Sequence, residues 1–495
     1  MQRILLVVCL VMLTACNGSF ISPPAVPAPT MTSGSFTRPS PTQSAPGVGT
    51  PTVLTNSSLA FPSSTPTDQV LASPSYTLRA ILDYASHSLK VDETIVYQNA
   101  TGLTLNSIMM AVEPNLWVGC FQMGSFTLDG KDVQGLILNN DQLDVPLVEP
   151  LIPGKNLKIT LHYSLNLPSA DSHHVFGYNY YQVNLVDWYP FIVPYSNGWL
   201  MHPLANVGEH LVYDNASFEV MVSLTGPVSS LLIAASTPAE RTNGIWHYSL
   251  QNARTFVFSA SPNYQSAVTT TNGMIITSFF FADDKTQGLA VLSEVSKAVT
   301  TFSALFGAIS YPSLNIVESP FYDGLEYDGL FFLSRDFYKE DDGTVLNNLV
   351  DIAVHETAHQ WWFGSVGNDQ ALEPWLDEAM ATYSESLFYE KNYPNVTAWW
   401  AFRVDAYNPS GWVDMDIYHG DNFRIYANAV YLRGAQFLEA LRVRVGDDTF
   451  FTFLKDYATQ MASKRANSND FFRIFRQHTN INISDLVATY FQRQH

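Results

Sequence analysis

From Tyr76 to about residue 283 the chain switches between apolar and polar at nearly every second residue; beyond that point the period lengthens. Segments such as YTLRAILDY, HSLKVDETIVYQN, NLKITLHYSL and ASFEVMVSLTG alternate in this way and are rich in Val, Ile, Thr and Tyr. Such a strand has one face for a core and one for solvent, and regular turn-rich breaks between strands predict an antiparallel sandwich or saddle. PVSSLLIAASTPAE is too short an apolar run to separate strand from helix. After FFFADDKTQ, GLAVLSEVSKAVTTFSALFG reads as a helix ended by Gly307, SLNIVESP as a strand, and 343–363, 374–390, 427–445 and 450–461 as helices. We expect a β domain over 76–283 followed by a mixed, mainly helical domain over 284–495, with no internal repeat.

The first residues, MQRILLVVCLVMLTAC, hold an apolar run from Ile4 to Leu13 that is too short to span a membrane, so 1–15 reads as a signal peptide. Leu13, Thr14, Ala15 and Cys16 look like a bacterial lipobox, which implies cleavage before Cys16 and lipid on its sulfur. The alternative is an ordinary signal peptide with a chance cysteine. Residues 16–75 are dominated by Pro, Ser, Thr and Gly and read as a disordered tether. The expected location is therefore extracytoplasmic, lipid-anchored to a bacterial membrane through Cys16. Only Cys120 lies in the body of the chain, so no disulfide framework is available. A formal charge of -20 argues against a nucleic-acid partner, because phosphate binding needs basic patches. Oligomeric state is not indicated.

The segment DIAVHETAHQWWFG places His355 and His359 four residues apart, on one face of a helix, where both rings reach one ion. Glu356, one step round, can act on a water at that ion without occupying a coordination position. A buried helix with hydrogen-bonded histidines would show the same letters. The continuation raises the odds of a metal. Gly364 is a helix breaker, GSVGNDQALE a turn, and Pro374 opens a second helix with Glu378 in its early part, so an antiparallel return brings that carboxylate to the imidazoles. Two nitrogens, one carboxylate oxygen and an open position make a catalytic zinc site, one ion per chain; calcium wants more oxygen ligands.

HETAHQWWFG, with eighteen residues between His359 and the glutamate of WLDEA, resembles the gluzincin metallopeptidases of the membrane alanyl aminopeptidase and leukotriene hydrolase family. The resemblance implies zinc on His355, His359 and Glu378, with Glu356 as general base. Asp377 and Ala379 depart from the family's usual Asn and Gly without removing a ligand. It further implies an N-terminal β saddle and a thermolysin-like α+β catalytic domain. The large C-terminal helical domain of several relatives is not expected in this chain. SPFYDGLEYDG resembles the family's Gly-x-Met-Glu-Asn segment, with Asp323, Leu325 and Tyr327 as departures. That places Glu326, with Gly324 beside it, where a substrate's free α-amine would be held. Read without the resemblance, Glu326 is an ordinary loop carboxylate. Tyr431 of IYANAVYLRG matches the family's oxyanion-stabilising tyrosine, and Tyr426 is a weaker candidate for the same wall. Trp361 and Trp362 read as packing. Glu385 is either a residue orienting a ligand or a solvated helix carboxylate.

The resemblance implies a zinc aminopeptidase acting on peptides with a free N-terminus. Two other readings stay open: a related zinc endopeptidase or non-peptide hydrolase, and a non-catalytic surface binding module.

Overall fold

The strongest alternation in the sequence becomes the middle of an eight-stranded sheet. Along strand Asn156–Asn166 the side chains of Leu157, Ile159, Leu161, Tyr163 and Leu165 are buried while those between them face outward. This strand pairs antiparallel with Ser88–Gln98 over its whole length. The computed structural model describes residues 73–226, 230–309 and 311–494; the signal peptide, Cys16 and nearly all of the tether lie outside the described residues. The sheet runs in the order Ala239–Thr242, Ile245–Ala253, Ala216–Thr225, Ser75–Asp83, Ser88–Gln98, Asn156–Asn166, Phe121–Leu128, Lys131–Asp132. One pair, Ser75–Asp83 with Ala216–Thr225, is parallel. Two four-stranded sheets complete the β region, and the ambiguous PVSSLLIAASTPAE contributes strand Leu232–Ala235 to one of them.

Glu93 sits on the inner face of Ser88–Gln98, fully buried. Its oxygens accept no well-formed hydrogen bond. Burial, only partly offset by the neighbouring Tyr163 hydroxyl, holds the acid well above the usual carboxylate range. The folded state thus keeps a proton that the unfolded chain releases above about 4.5. Stability therefore falls as pH rises from there through the raised folded-state value. Glu93→Gln should stabilise the protein by on the order of 1–3 kcal/mol at pH 8 and by less at pH 5. Thermal melts at the two pH values check this, and an equal gain at both would show that the carboxyl does not titrate.

The second part is built on a five-stranded sheet in the order Tyr264–Thr271, Met274–Phe281, Ser313–Ser319, Leu330–Ser334, Gly324–Tyr327. This sheet crosses residue 284, so hydrogen bonding joins the last two strands before that point to the helical part. Helix Lys285–Phe306 packs between the sheet and the helix carrying the histidines. By length and composition the segment Ala282–Phe306 is apolar enough to cross a membrane, but half of its most apolar window is buried inside the fold, as befits a core helix.

Two helices differ from expectation. The histidine helix spans Asn348–Ala358, shorter than 343–363 at both ends. It starts where the Asn347 side chain accepts from the Val350 N–H at 2.9 Å. It stops because the chain turns through Phe363, whose φ of 128° is rare for a side chain that large. Arg254 stabilises that turn. Reaching in from the β region and buried, it donates from Nε to the Phe363 carbonyl at 2.7 Å, from Nη2 to the Lys464 carbonyl at 2.7 Å and from Nη1 to the Tyr213 carbonyl at 3.2 Å. Beside it, Asp328 accepts from the backbone N–H groups of Arg254 and Thr255 at 2.9 and 2.8 Å. The expected helix 427–445 is interrupted: Phe423–Ala427 is α-helical, Asn428–Leu432 widens into a π turn, and Arg433–Val445 resumes the α-helix. A π turn shifts the facing of the residues within it, here Tyr431.

Candidate metal centre

His355 and His359 leave the last turns of their helix on one face, with ring centroids 4.7 Å apart. The Nδ1 of His359 lies 2.9 Å from the Trp362 carbonyl. A carbonyl only accepts, so Nδ1 carries the hydrogen and Nε2 presents a lone pair. His355 is oriented likewise: Nδ1–H donates to Glu385 Oε1 at 2.7 Å. The two Nε2 atoms then converge on Glu378 Oε2, at 3.1 Å from His355 and 3.4 Å from His359. Glu378 comes from helix Trp375–Asn392, which begins directly after Pro374. All three side chains are buried.

This donor set fits a zinc ion. Two imidazole nitrogens and a carboxylate oxygen lie within 4.8 Å of one another, and both Nε2 lone pairs face the carboxylate. Burial opposes charge on His355, but its bonds to Glu378 and Glu385 outweigh it and lift the ring to about 9. Burial likewise opposes charge on His359, and Glu326 and Glu378 lift it well above the ordinary imidazole range. The surplus negative charge that draws protons onto these rings is what a divalent cation would balance, taking the Nε2 lone pairs in their place.

Glu385 is fully buried, not a solvated helix carboxylate. Arg403 holds it with Nε to Oε2 at 2.8 Å and Nη2 to Oε1 at 3.0 Å. Asp351 stands 3.0 Å from Arg403 Nε and accepts from Trp399 Nε1 at 2.8 Å. Neither Arg403 nor Asp351 carried a sequence signal, since they meet Glu385 only through the fold.

Glu356 is buried, and its Oε2 accepts no hydrogen bond. Glu326, on edge strand Gly324–Tyr327, is brought to it: Glu326, Glu356 and His359 place ligand atoms within 4.8 Å of one another. Gln370 Nε2 donates to Glu326 Oε1 at 3.1 Å. Gly324 passes so close that a Cβ there would overlap Glu356 Oε1 and lie 2.7 Å from Ile352 Cγ2. Tyr431 donates to Glu378 Oε1 at 2.6 Å. Tyr426 is buried behind it, ring centroids 5.7 Å apart, with its hydroxyl unpartnered. Trp361 and Trp362 are buried in the helical core and donate to the Gly307 carbonyl and Ser384 Oγ at 2.9 and 3.1 Å.

Sequence reasoning missed Gln370 and Glu209. Glu209 is half-buried and shares the wall of one cavity with Glu326 and Gln370. Burial, then the nearby Glu326 and Glu378 carboxylates, push its acid well above the usual range. The one local sign was Gly208, whose φ of 68° turns the loop at that point.

Residues 296–490 match the family described as Peptidase family M1 domain. The whole fold agrees with two-domain M1 architecture. A point mutant of the M1 zinc metallopeptidase from Deinococcus radiodurans superposes with a TM-score of 0.63 at 17% identity, covering 86% of this chain and 95% of that one. The unmutated enzyme gives 0.60 at 18%, covering 82% and 91%. Among curated relatives, Aminopeptidase M1-A of Oryza sativa subsp. japonica is 23% identical over 57% of this chain. Aminopeptidase N of Lactobacillus delbrueckii subsp. lactis is 23% identical over 52%. The matched stretch spans 35% and 33% of those two proteins. The stretch 296–490 contains the helices carrying His355, His359 and Glu378, and also Tyr431 and Glu326; Glu209 lies outside it.

Proposed function

We propose that this protein is a zinc-dependent aminopeptidase that removes the first residue of peptides with a free N-terminus. The observation that carries this is the position of Glu326: a buried carboxylate at the end of the cleft, with Glu209 nearby, suited to hold an ammonium one residue from the reacting carbonyl. His355, His359 and Glu378 would hold the zinc, which when bound polarises the carbonyl and acidifies water. Glu356 takes the proton of the attacking water and passes it to the leaving amine. The Tyr431 hydroxyl donates to the oxygen that gains charge. Glu385, held by Arg403, fixes the His355 ring, so Glu385→Gln should weaken zinc affinity about 10–100-fold in a chelator competition.

Relatives support the reading: the curated matches are named aminopeptidases, and solved M1 structures hold L-tryptophan in one case and a Tyr-Ser-Ala substrate in another. A mass-spectrometric time course on one peptide, free and N-acetylated, tests it. The free peptide should shorten one residue at a time and the capped one should persist. Internal cleavage at similar rates in both would leave a zinc peptidase but reject the aminopeptidase.

We also propose residues 76–283 and 284–495 as the working domains, and a lipid anchor at Cys16 outside the membrane that bears it. Detergent-phase partitioning lost in Cys16→Ala would support the anchor, and a soluble wild type would reject it.

A further inference from the structure

Beside Glu326 opens a cavity of about 250 Å³. If Glu326 and Glu209 hold the ammonium, as the aminopeptidase reading has it, this space receives the first side chain of the substrate. Its walls are unusual in charge. Besides Glu326 and Glu209 it is lined by two further carboxylates, Glu113 and Asp187, by His173, His174 and His210, and by no lysine or arginine.

The two extra acids differ in what they have left to offer. Asp187 is spent, accepting from the Tyr213 hydroxyl at 2.7 Å and the Tyr327 hydroxyl at 3.2 Å. Glu113 is not. Its Oε2 is buried and accepts no hydrogen bond. The nearest cation is His210, whose Nε2 stands 3.4 Å away but is closer to Asp141, at 3.2 Å. One imidazolium facing two carboxylates leaves one negative charge uncompensated, and a buried acceptor without a donor is costly. The half-buried Trp117 lines the same cavity, packed on Phe176 at 4.9 Å between ring centroids and edge-on to His174 at 6.1 Å. A carboxylate lacking a donor in one cavity with an indole suits a planar cation, which bonds to the first and stacks on the second.

We propose that this cavity selects a cationic first residue, arginine above lysine, with Glu113 accepting from the guanidinium and Trp117 stacking against it. The compact ammonium of lysine uses the charge but not the stacking surface. Aspartate and glutamate are disfavoured by the carboxyl groups that line the wall.

The test uses the full chain loaded with zinc and coumarylamides of arginine, lysine, citrulline, leucine and glutamate. Citrulline keeps the shape of arginine without its charge. Arginine should exceed citrulline by about tenfold or more in kcat/KM, the scale of a charge-assisted hydrogen bond, and glutamate should be slowest. Glu113→Gln should bring the arginine-to-citrulline ratio close to one, and Trp117→Leu should lower the arginine-to-lysine ratio. Each ratio is taken within one preparation, so a reduced folded fraction cancels. Equal rates for arginine and citrulline, or ratios that neither substitution moves, overturn the proposal while leaving the aminopeptidase intact. If no free-amine substrate is cleaved, the aminopeptidase reading fails. The cavity is then judged by calorimetry with free L-arginine against L-citrulline, where tighter arginine binding lost in Glu113→Gln upholds it and equal affinity overturns it.

Discussion

Glu356→Gln should lower turnover by about two to four orders of magnitude while the protein still binds one zinc. The carboxylate is buried beside the histidines, yet the convergence of both Nε2 atoms on Glu378 leaves it outside the ligand set. Glutamine keeps its size and loses its basicity. His359→Ala removes a lone pair fixed by the Trp362 carbonyl and should cost metal and activity together. Metal content measured beside kcat for each variant separates the two roles. Full activity in Glu356→Gln would reject the assigned base.

Gly324→Ala should be nearly as damaging, through one added methyl group. The backbone at this position is not in the left-handed region, so alanine meets no conformational barrier there. The obstacle is space, because the new Cβ would overlap Glu356 Oε1 and press on Ile352. The flexible carboxylate gives way before the helix does, and a displacement near 1 Å at a reacting group costs about 10²-fold in rate. Zinc content and melting temperature should change little, since no ligand is touched. Activity close to that of the parent would mean that Glu356 works from another rotamer.

The convergence of His355, His359 and Glu378 was legible because it is local. His355 and His359 share a helical face by spacing alone, and Pro374 announced the helix that returns Glu378 to them. The residues that complete the cleft are not local. Glu209 approaches Glu326 from a loop of the β region, and no periodicity in ANVGEHLVY marks it. Arg403 reaches Glu385 from a π turn, Trp400–Val404, whose letters fit several backbones equally well. The π turn at Asn428–Leu432 was hidden for a related reason: the same residues satisfy an ordinary helix, and only packing against the glutamate helix selects the wider turn. The β region read well because period two holds wherever one face is buried. The parallel pairing of Ser75–Asp83 with Ala216–Thr225 did not, since pairing partners leave no mark in a strand's own alternation.

Arg254 sets how this cleft can work in time. Its guanidinium ties a strand end of the β region to the turn that ends the histidine helix and to the segment at Lys464. Bending one part of the molecule against the other would break several buried hydrogen bonds at once, each left without a substitute from water. Hinge closure over a bound peptide is therefore disfavoured at this junction. The resting width of the cleft is then also its working width, and turnover would be paced by peptide entry and exit or by chemistry, with no slow opening step between them.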